Sequence, residues 1–534
     1  MRFIGLVGLF TLLLIGYIFS TDRKAVKPRI IMWGLGLQFI FALIILSESF
    51  LSWVGMFIFG VLIMFYLFAD RVFAKERWRE AIGPAAVLVF SGAAVTALSW
   101  VLESIKVATI LFYITLVFWI VLIAFRKKYF IRYIFSSLMF LALGVLINRG
   151  IYGRVIFSKL ADKVDQFLKL TDLGSVFLFG NLAKQEYFNP TAGDWPGFGF
   201  QFAFTVLPVI IFFSACMAIL YHFGIVQRII NAMAHFMRWT MGTSGAETLS
   251  CSSNIFVGQT EAPLLIKPFL RDMTMSELHA IMTGGFATIA GSVLGGYIRM
   301  GIDAGHLIAA SVLSAPAALV MAKVWFPETE HSVTAGDAKI PDVGRSDNVL
   351  DAAASGVTDG LKLALNVGAM LLAFIALIGL VDVIFAWFDK LVDHRLLGGT
   401  LNEKSGEYNG FFPGSLKTLF GTIFSPLAFL MGVPWKDAMD VGNLLGLKIA
   451  VNEFVGYAEL GSYVSGQTLS PKSITIATYA LCGFANFSSI GIQIGGISAL
   501  APERRSDLSK IALRAMFAGA FASWMTATIA GMLL

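Results

Sequence analysis

Long apolar runs recur along almost the whole chain, and they constrain the fold more than any other feature. Each run is about 18 residues or longer, which is the length of a helix that crosses the hydrocarbon core of a bilayer. Charged residues make up 14% of the chain, whereas soluble domains carry roughly 25%. We therefore predict an all-α polytopic membrane protein. The predicted spans are 4–20, 30–47, 52–69, 83–102, 107–125, 131–148, 198–221, 276–298, 304–324, 359–388, 472–497 and 507–534.

Basic residues are concentrated in alternate connections between the first spans. The three basic connections hold Arg23, Lys24, Lys27 and Arg29; Arg71, Lys75, Arg77 and Arg79; and Arg126, Lys127, Lys128 and Arg132. The connections near Glu48 and Glu103 hold almost none. This alternation predicts that the basic connections are cytoplasmic and that the N-terminus is on the other side. Arg504 and Arg505 precede the last span, which predicts a C-terminus outside as well. The net charge of +6 therefore gives no reason to expect a nucleic-acid partner.

Cysteine and histidine usage gives no sign of a disulfide framework or a metal centre. Cys216, Cys251 and Cys482 lie in apolar segments without paired spacing, and the six histidines form no HxxxH pair. The first twenty residues lack an A-x-A-like cleavage site and lead into a basic loop. We therefore expect a retained span there rather than a signal peptide.

Two segments, 245–272 and 435–460, are apolar enough to enter the membrane but are interrupted by Gly and Pro or by acidic residues. Each precedes a helix that has a break of its own, in "ATIAGSVLGGY" from Ala287 and in "GFANFSSIGIQIGG" from Gly483. The order of a hairpin-like segment and an interrupted helix therefore occurs twice. Corresponding interrupted segments in two halves of a transporter indicate a binding site near the bilayer midplane.

Polar residues cluster in these four segments. The first half contributes Asn254, Gln259, Thr260, Glu261, Thr288 and Ser292, and the second contributes Asn452, Glu453, Asn486, Ser488 and Ser489. An ionisable residue at the centre of a membrane helix costs about 2.5–3.5 kcal/mol, so Glu261 and Glu453 indicate a wet or ligand-filled cavity. The absence of Arg and Lys from the set disfavours a phosphate or carboxylate ligand. Amides, hydroxyls and carboxylates suit a neutral ring compound with many hydroxyls, against which Phe484 offers an apolar face.

The residue types leave the coupling ion open. Asn254, Thr288 and Ser292 offer uncharged oxygens beside a helix break, and such oxygens suit Na⁺ in transporters with unwound helices. A proton-coupled protein needs a titratable group instead, which Glu261 or Glu453 provides.

A separate segment, 153–172, places Ile156 and Leu160 at helical spacing between charged residues. This pattern predicts an amphipathic helix at the membrane interface.

Five stretches together resemble the concentrative nucleoside transporter family, which includes sodium-coupled nucleoside symporters; a proton-coupled nucleoside symporter stays the alternative. They are "GTSGAETLSCSSNIFVGQTEAPLLIKPFL", "SELHAIMTGGFATIAGSVLGGYI", "LSAPAALVMAKVWFPETE", "NEFVGYAEL" and "YALCGFANFSSIGIQIGG". The resemblance covers about 150–534, and "MWGLGLQFIFAL" near Trp33 is similar to an early span of the family. It implies a homotrimer with elevator-type alternating access. Each protomer would have a scaffold and a transport domain, with two re-entrant helical hairpins and two unwound helices in an inverted repeat.

The resemblance also implies the site. The residues expected to bind the nucleobase are Gln259, Thr260 and Glu261, with Val293 close to it; those expected around the ribose are Glu453, Phe484, Asn486 and Ser489. The sodium position would be formed by Asn254, the backbone at Val257, Thr288, Ile289 and Ser292. Gly258 and Pro263 would turn the chain inside the membrane, and room at Gly258 would permit several bases. Uridine, adenosine and similar nucleosides are the expected substrates.

The predicted organisation has four parts. Early spans occupy 1–47, an interfacial helix 151–182 and the transporter core 183–534, with hairpins at 245–272 and 435–460. Residues 48–150 depart from the family pattern as an insertion of four spans. We expect a multi-pass protein of the plasma (cell inner) membrane that is not an enzyme. A nucleoside-sensing receptor is a second interpretation, although no signalling domain is visible. An intramembrane hydrolase is a third, although no nucleophile or metal constellation accompanies the glutamates.

Overall fold

A computed structural model of the chain describes residues 2–48, 50–67, 130–188, 197, 199–334, 346–402 and 406–534. Within these ranges the only extended pairing is an isolated bridge between Leu401 and Tyr408, so the predicted all-α class is confirmed. The α-helices are Arg2–Ile18, Pro28–Leu46, Phe50–Leu67, Phe130–Asn148, Gly153–Leu168, Thr171–Phe179, Phe202–His222, Ile225–Met241, Gly245–Ser253, Met275–Ala287, Gly291–Arg299, Ala304–Trp325, Val349–Asp389, Leu416–Leu430, Trp435–Ala450, Glu453–Ser465, Pro471–Leu481, Phe487–Leu500 and Arg505–Leu533.

Seven helices of the described ranges are long and apolar enough to cross a membrane. Most predicted spans correspond to a helix, but the spans predicted at 83–102 and 107–125 lie outside the described residues. Helix Leu416–Leu430, which is joined to Trp435–Ala450 at a bend of 117°, was not predicted from the sequence. The span predicted from 359 begins ten residues earlier, at Val349, because Asn348 caps the helix by accepting from the Asp351 amide at 2.9 Å.

The contacts divide the chain into two units, of which Phe39–Leu160 forms the smaller. Its described core joins the helices Phe50–Leu67 and Phe130–Asn148 through Met64 and Phe140. Trp53 donates its indole N–H at 3.1 Å to the carbonyl of Ile151, which follows the second of these helices. Two of the four spans predicted for 48–150 therefore pack directly on each other.

In the larger unit, the first hairpin begins with a capping box. The Ser244 hydroxyl accepts from the Glu247 amide while Glu247 accepts from the Ser244 amide, so helix Gly245–Ser253 has satisfied N–H groups. It ends at Asn254, and the chain returns through the 3₁₀ helix Ala262–Asp272. A second capping box, between Thr274 and Glu277, starts the following helix.

The base of this hairpin is held by a buried ion pair. Lys323 Nζ lies 2.6 Å from Glu247 Oε2 and donates to the Ser276 hydroxyl at 2.8 Å. Both charged side chains are almost completely buried, at 4% and 2% exposure. Removing one partner of such a pair leaves the other charge uncompensated. The ion pair therefore fixes the start of the hairpin against helices Met275–Ala287 and Ala304–Trp325.

The two broken helices cross at their breaks. The first break separates Met275–Ala287 from Gly291–Arg299, and the second separates Pro471–Leu481 from Phe487–Leu500. Gly483 has φ of +134°, and a Cβ there would lie 2.6 Å from the Phe286 carbonyl oxygen. Only glycine suits both this backbone conformation and this close approach. The crossing brings the polar residues of both halves into one region.

Candidate functional site

A cavity of about 920 Å³ lies where the two halves meet, which is within the usual range of about 300–1,000 Å³ for small-molecule sites. The predicted residues that line it are Val257, Gln259, Thr260, Glu261, Ser292, Val293, Glu453, Phe484, Asn486 and Ser489. Helices Phe202–His222 and Val349–Asp389 supply the facing wall, which includes Asp359 and Lys362. The cavity therefore contains a lysine, which the polar set predicted from the sequence lacked. All ten predicted residues in the cavity belong to the larger unit.

Glu453 is the buried carboxylate of the cavity, at 3% exposure. It lies in the first turn of helix Glu453–Ser465, directly after the capping residue Asn452. Asn486 Nδ2 donates to one of its oxygens at 3.0 Å, and the Tyr297 hydroxyl donates to the other at 3.2 Å. Each oxygen keeps lone-pair capacity for a ligand hydroxyl. The carboxylate is thus oriented by two neutral donors.

Asn486 connects this carboxylate to the next helix. It caps Phe487–Leu500, because its Oδ1 accepts from the Ser489 amide at 2.8 Å. The Ser488 hydroxyl donates to the same oxygen at 2.8 Å. The second helix break therefore does two things: it presents the Asn486 amide to Glu453, and it holds Ser489 at the cavity wall.

The first hairpin reaches this polar group through Gln259, which is 8% exposed. Its Nε2 donates to the Ser489 hydroxyl at 3.3 Å. Its Oε1 accepts from Gln493 Nε2 at 3.0 Å, and Gln493 also donates to the Met282 carbonyl at 3.2 Å. Side chains from the two halves are thus joined in one continuous hydrogen-bonded chain.

Two members of the hydrogen-bonded chain, Tyr297 and Gln493, were not predicted. The facing wall with Asp359 and Lys362 was not predicted either. Tyr297 lies four residues after Val293, and Gln493 lies four residues after Ser489. Residues at that spacing share a helix face, so extending each predicted face by one turn would have found both. The sequence also shows that both side chains are polar and lie in apolar segments, where a polar group requires a hydrogen-bond partner.

The turn of the first hairpin differs from expectation in one respect. Glu261 is exposed and lines the cavity, and its carboxylate occupies the space that a Cβ on Gly258 would need. The room expected at Gly258 is therefore taken by Glu261. Thr260 is half-buried and packs on Gly496, where a Cβ would lie 2.6 Å from the threonine methyl.

Two apolar residues complete the predicted cavity set. Val293 is 1% exposed on Gly291–Arg299, while Phe484 is half-buried within the second break. The Phe484 amide donates to the Thr288 carbonyl at 3.3 Å. A ring bound between the Gln259 end and the Glu453 end of the cavity would contact these two apolar side chains.

The residues predicted for a cation lie partly behind the cavity wall. Asn254, Thr288 and Ile289 are 1–2% exposed, whereas Val257 and Ser292 line the cavity. Asn254 Oδ1 is buried without a hydrogen-bond partner within the described ranges. An unpartnered buried oxygen is costly. Its chemistry fits a cation ligand, and the Thr288 hydroxyl, which donates to the Gly284 carbonyl at 2.9 Å, retains lone pairs.

The fold and site define a class: a helical membrane transporter whose cavity lies between two hairpins and two broken helices. Comparisons with known proteins agree. Residues 306–531 match the family model "Na+ dependent nucleoside transporter C-terminus", 203–304 match "Nucleoside recognition" and 7–70 match "Na+ dependent nucleoside transporter N-terminus". The chain belongs to the sodium-dependent nucleoside transporter family, as its resemblance to concentrative nucleoside transporters predicted.

Curated relatives and solved structures support this membership. The chain is 37% identical to human "Solute carrier family 28 member 3", over 95% of the chain and 74% of that protein. It is 44% identical to rat "Sodium/nucleoside cotransporter 1", over 73% of the chain but only 58% of the length of that relative. The structure of CNTnw in an inward-facing substrate-bound state aligns with a TM-score of 0.72 and 32% identity, covering 100% of this chain and 98% of CNTnw. These relatives are transporters and not enzymes.

Proposed function

We propose that the protein imports nucleosides by symport with Na⁺. The observation that supports this most strongly is the hydrogen-bonded chain from Gln259 through Ser489 and Asn486 to Glu453. It runs along one wall of the cavity, with neutral donors and acceptors at one end and a carboxylate at the other. A nucleoside has the complementary order, with a base that offers amide-like groups and a ribose that offers hydroxyls.

In this proposal the carboxylate end binds the sugar. The ribose hydroxyls donate to Glu453, while Asn486 and Ser489 contribute further hydrogen bonds and Phe484 contacts the ring. Hydrogen bonds to a charged acceptor are worth about 1.5–3 kcal/mol each. Two neutral donors already orient Glu453 before the nucleoside binds. Binding therefore loses little side-chain conformational entropy at this residue.

The base end lies at the first hairpin. Gln259 and Thr260 face the cavity with Glu261, and Val293 packs close to the base. The 3.3 Å contact between Gln259 and the Ser489 hydroxyl is at the long end of the hydrogen-bond range. A nucleoside that binds here therefore replaces this weak bond between Gln259 and Ser489 by a direct contact with each of the two side chains. Uridine, adenosine and related nucleosides present suitable amide and imine groups at this position.

Sodium is transported with the nucleoside in this proposal. Asn254 and Thr288 contribute side-chain oxygens, Val257 and Ile289 backbone oxygens, and Ser292 a hydroxyl. Asn254 lies at the end of the hairpin helix whose turn carries Gln259, so ion binding orders the segment that recognises the base. This gives a physical route for reciprocal coupling between ion and nucleoside.

One sodium ion is sufficient for accumulation. One positive charge that moves inward through 100 mV gains about 2.3 kcal/mol, and a tenfold sodium gradient adds about 1.4 kcal/mol. The sum of about 3.7 kcal/mol supports a nucleoside gradient on the order of 500-fold.

We propose elevator-type alternating access in a homotrimer of the plasma (cell inner) membrane, with the basic connections in the cytoplasm and both ends of the sequence outside.

The test is uptake of labelled uridine into proteoliposomes, with an inward sodium gradient compared with an equal choline gradient at fixed pH. Uptake that requires sodium and leaves uridine unmodified would support the proposal. Uptake driven by a pH gradient without sodium would overturn the sodium assignment and retain the nucleoside site. No uptake of uridine, adenosine or inosine under either gradient would overturn nucleoside transport.

A further inference from the structure

Each half of the larger unit brings two helix C-terminal ends together. In the first half, helices Gly245–Ser253 and Met275–Ala287 end at Asn254 and Thr288. Their ends are close, because a Cβ on Gly284 would lie 3.2 Å from Asn254 Nδ2. The C-terminal end of a helix carries partial negative charge. Two such ends, with unwound carbonyls beside them, form the usual setting for a coupling cation.

The second half repeats this arrangement with a lysine in it. Helix Trp435–Ala450 ends at Val451, and Pro471–Leu481 ends at Cys482. Lys448 lies in the last turn of the first of these helices, and its Nζ donates to the Ala480 carbonyl in the last turn of the other at 2.8 Å. The Lys448 side chain therefore joins the last turns of the two helices.

The environment of Lys448 is unusual for a charged residue. The residue is 0% exposed, and within the described ranges its ammonium makes one hydrogen bond and no ion pair. Glu453 is near enough for the two opposite charges to attract but is beyond contact distance. A buried charge without a paired partner is costly, and inside a membrane such a residue generally has a function.

A neutral group already performs simple capping at this break. The Ser523 hydroxyl donates to the Cys482 carbonyl at 2.6 Å, two residues beyond the carbonyl that Lys448 contacts. A hydroxyl is thus sufficient to satisfy a freed carbonyl here. What Lys448 adds is a positive charge, located where two helix C-terminal ends and the Glu453 carboxylate create a negative potential.

We propose that the Lys448 ammonium is a tethered cation: it occupies, in the second half, the place that corresponds to the sodium position of the first half. The inference rests on the proposed sodium-coupled function. The tethered charge holds the second helix break and Glu453 in place without an ion from solution. It follows that replacing Lys448 by a small residue opens a second cation position that sodium can enter.

The experiment compares two neutral variants of the full-length protein. Lys448→Ser leaves space and a hydroxyl ligand, whereas Lys448→Met removes the charge but fills the space. The unfolding temperature of each purified variant is titrated with NaCl against choline chloride. We expect Lys448→Ser to gain a steeper dependence on sodium than the parent, and Lys448→Met to gain none. Ser523→Ala, which removes the neutral cap of the same break, should keep the sodium dependence of the parent.

The same variants are then measured for charge moved per uridine. We expect this ratio to rise by one elementary charge in Lys448→Ser, because a released sodium ion replaces a group that returns with the protein. Equal sodium dependence in Lys448→Ser and the parent would overturn the inference, as would failure of Lys448→Ser to fold even in high sodium. The unfolding titration needs no transport, so an absence of uridine uptake by the parent would count against the proposed function alone.

Discussion

The two helix breaks have related geometry and opposite internal bonding. At the second break, Lys448 and Ser523 donate to freed carbonyls, and Asn486 bonds both Glu453 and the next helix. At the first break, the buried Asn254 Oδ1 has no partner within the described ranges. One break is completed by the protein's own side chains, and the other leaves an oxygen available.

This difference separates the two tasks of a coupled transporter. A break whose freed carbonyls are bonded by side chains can present a carboxylate in a fixed position to a ligand. An incompletely bonded break gains most from a cation, and a ligand shifts a conformational equilibrium only by its differential affinity for the two states. Under the proposed function, we therefore assign recognition of the sugar to the second half, and ion-dependent ordering of the base-binding hairpin to the first.

The largest effect is expected for Glu453→Gln. The amide has only one acceptor oxygen and no charge, so uridine uptake should fall by about 100-fold or more, since each hydrogen bond to the carboxylate is worth about 1.5–3 kcal/mol. Uptake per amount of folded protein in proteoliposomes is the measurement. Glu459→Gln is the control, because Glu459 lies on the same helix but outside the cavity lining. Uptake at the parent level in Glu453→Gln would remove the second half from recognition.

Gly483→Ala should break the contact between the two halves. A Cβ at this position would meet the Phe286 carbonyl at 2.6 Å, at a φ of +134°. Such backbone strain costs about 1–3 kcal/mol, so the unfolding temperature in detergent should fall. Gly491→Ala is the matched control, since a Cβ there meets nothing within 4 Å and it lies in the helix that follows the break. Equal unfolding temperatures for the two variants would show that the crossing is not tightly packed.

Local sequence signals were sufficient to predict both breaks and the polar residues that they bring to the cavity, but not the facing wall from Phe202–His222 and Val349–Asp389. Gly483 and the polar runs around Asn254 and Asn486 interrupt apolar segments, and such interruptions have few explanations inside a bilayer. The predicted fold class followed from the length and composition of the spans. Helix Leu416–Leu430 was missed because its 15 residues are fewer than a span requires, and its sharp bend depends on tertiary packing.

Partnerships between distant side chains could not be read from the sequence. Gln493 contacts Gln259, which is 234 residues away, and Tyr297 contacts Glu453, which is 156 residues away. Periodicity defines the face on which a residue lies but not the element that packs against that face. The room expected at Gly258 was wrong for the same reason, since the Glu261 carboxylate takes that space only after the hairpin has formed.

Asn254→Ala tests the first half, and a smaller effect is expected. Loss of one cation ligand should raise the sodium concentration for half-maximal uptake by about tenfold, which corresponds to about 1.4 kcal/mol. The maximal rate at saturating sodium should change little, because the end of the cavity that holds Glu453 is intact. The measurement is a sodium titration of uridine uptake, with Ser253→Ala, the adjacent buried hydroxyl on the same helix, as control. An unchanged half-maximal concentration would exclude Asn254 from the ion position.

Tyr297→Phe should have the smallest effect and should define the division most sharply. Tyr297 is part of the first half, yet its hydroxyl donates to the carboxylate of the second at 3.2 Å. Removing one hydrogen bond of this length should weaken uridine uptake by about 2- to 10-fold, or roughly 0.5–1.5 kcal/mol. If Tyr297 only orients Glu453, the loss should appear in the uridine concentration for half-maximal uptake while the sodium titration stays unchanged. A parallel shift in the sodium titration would mean that this hydroxyl transmits ion binding from the first half to the sugar site. The two halves would then act as one coupled unit, rather than as separate recognition and ion-binding elements.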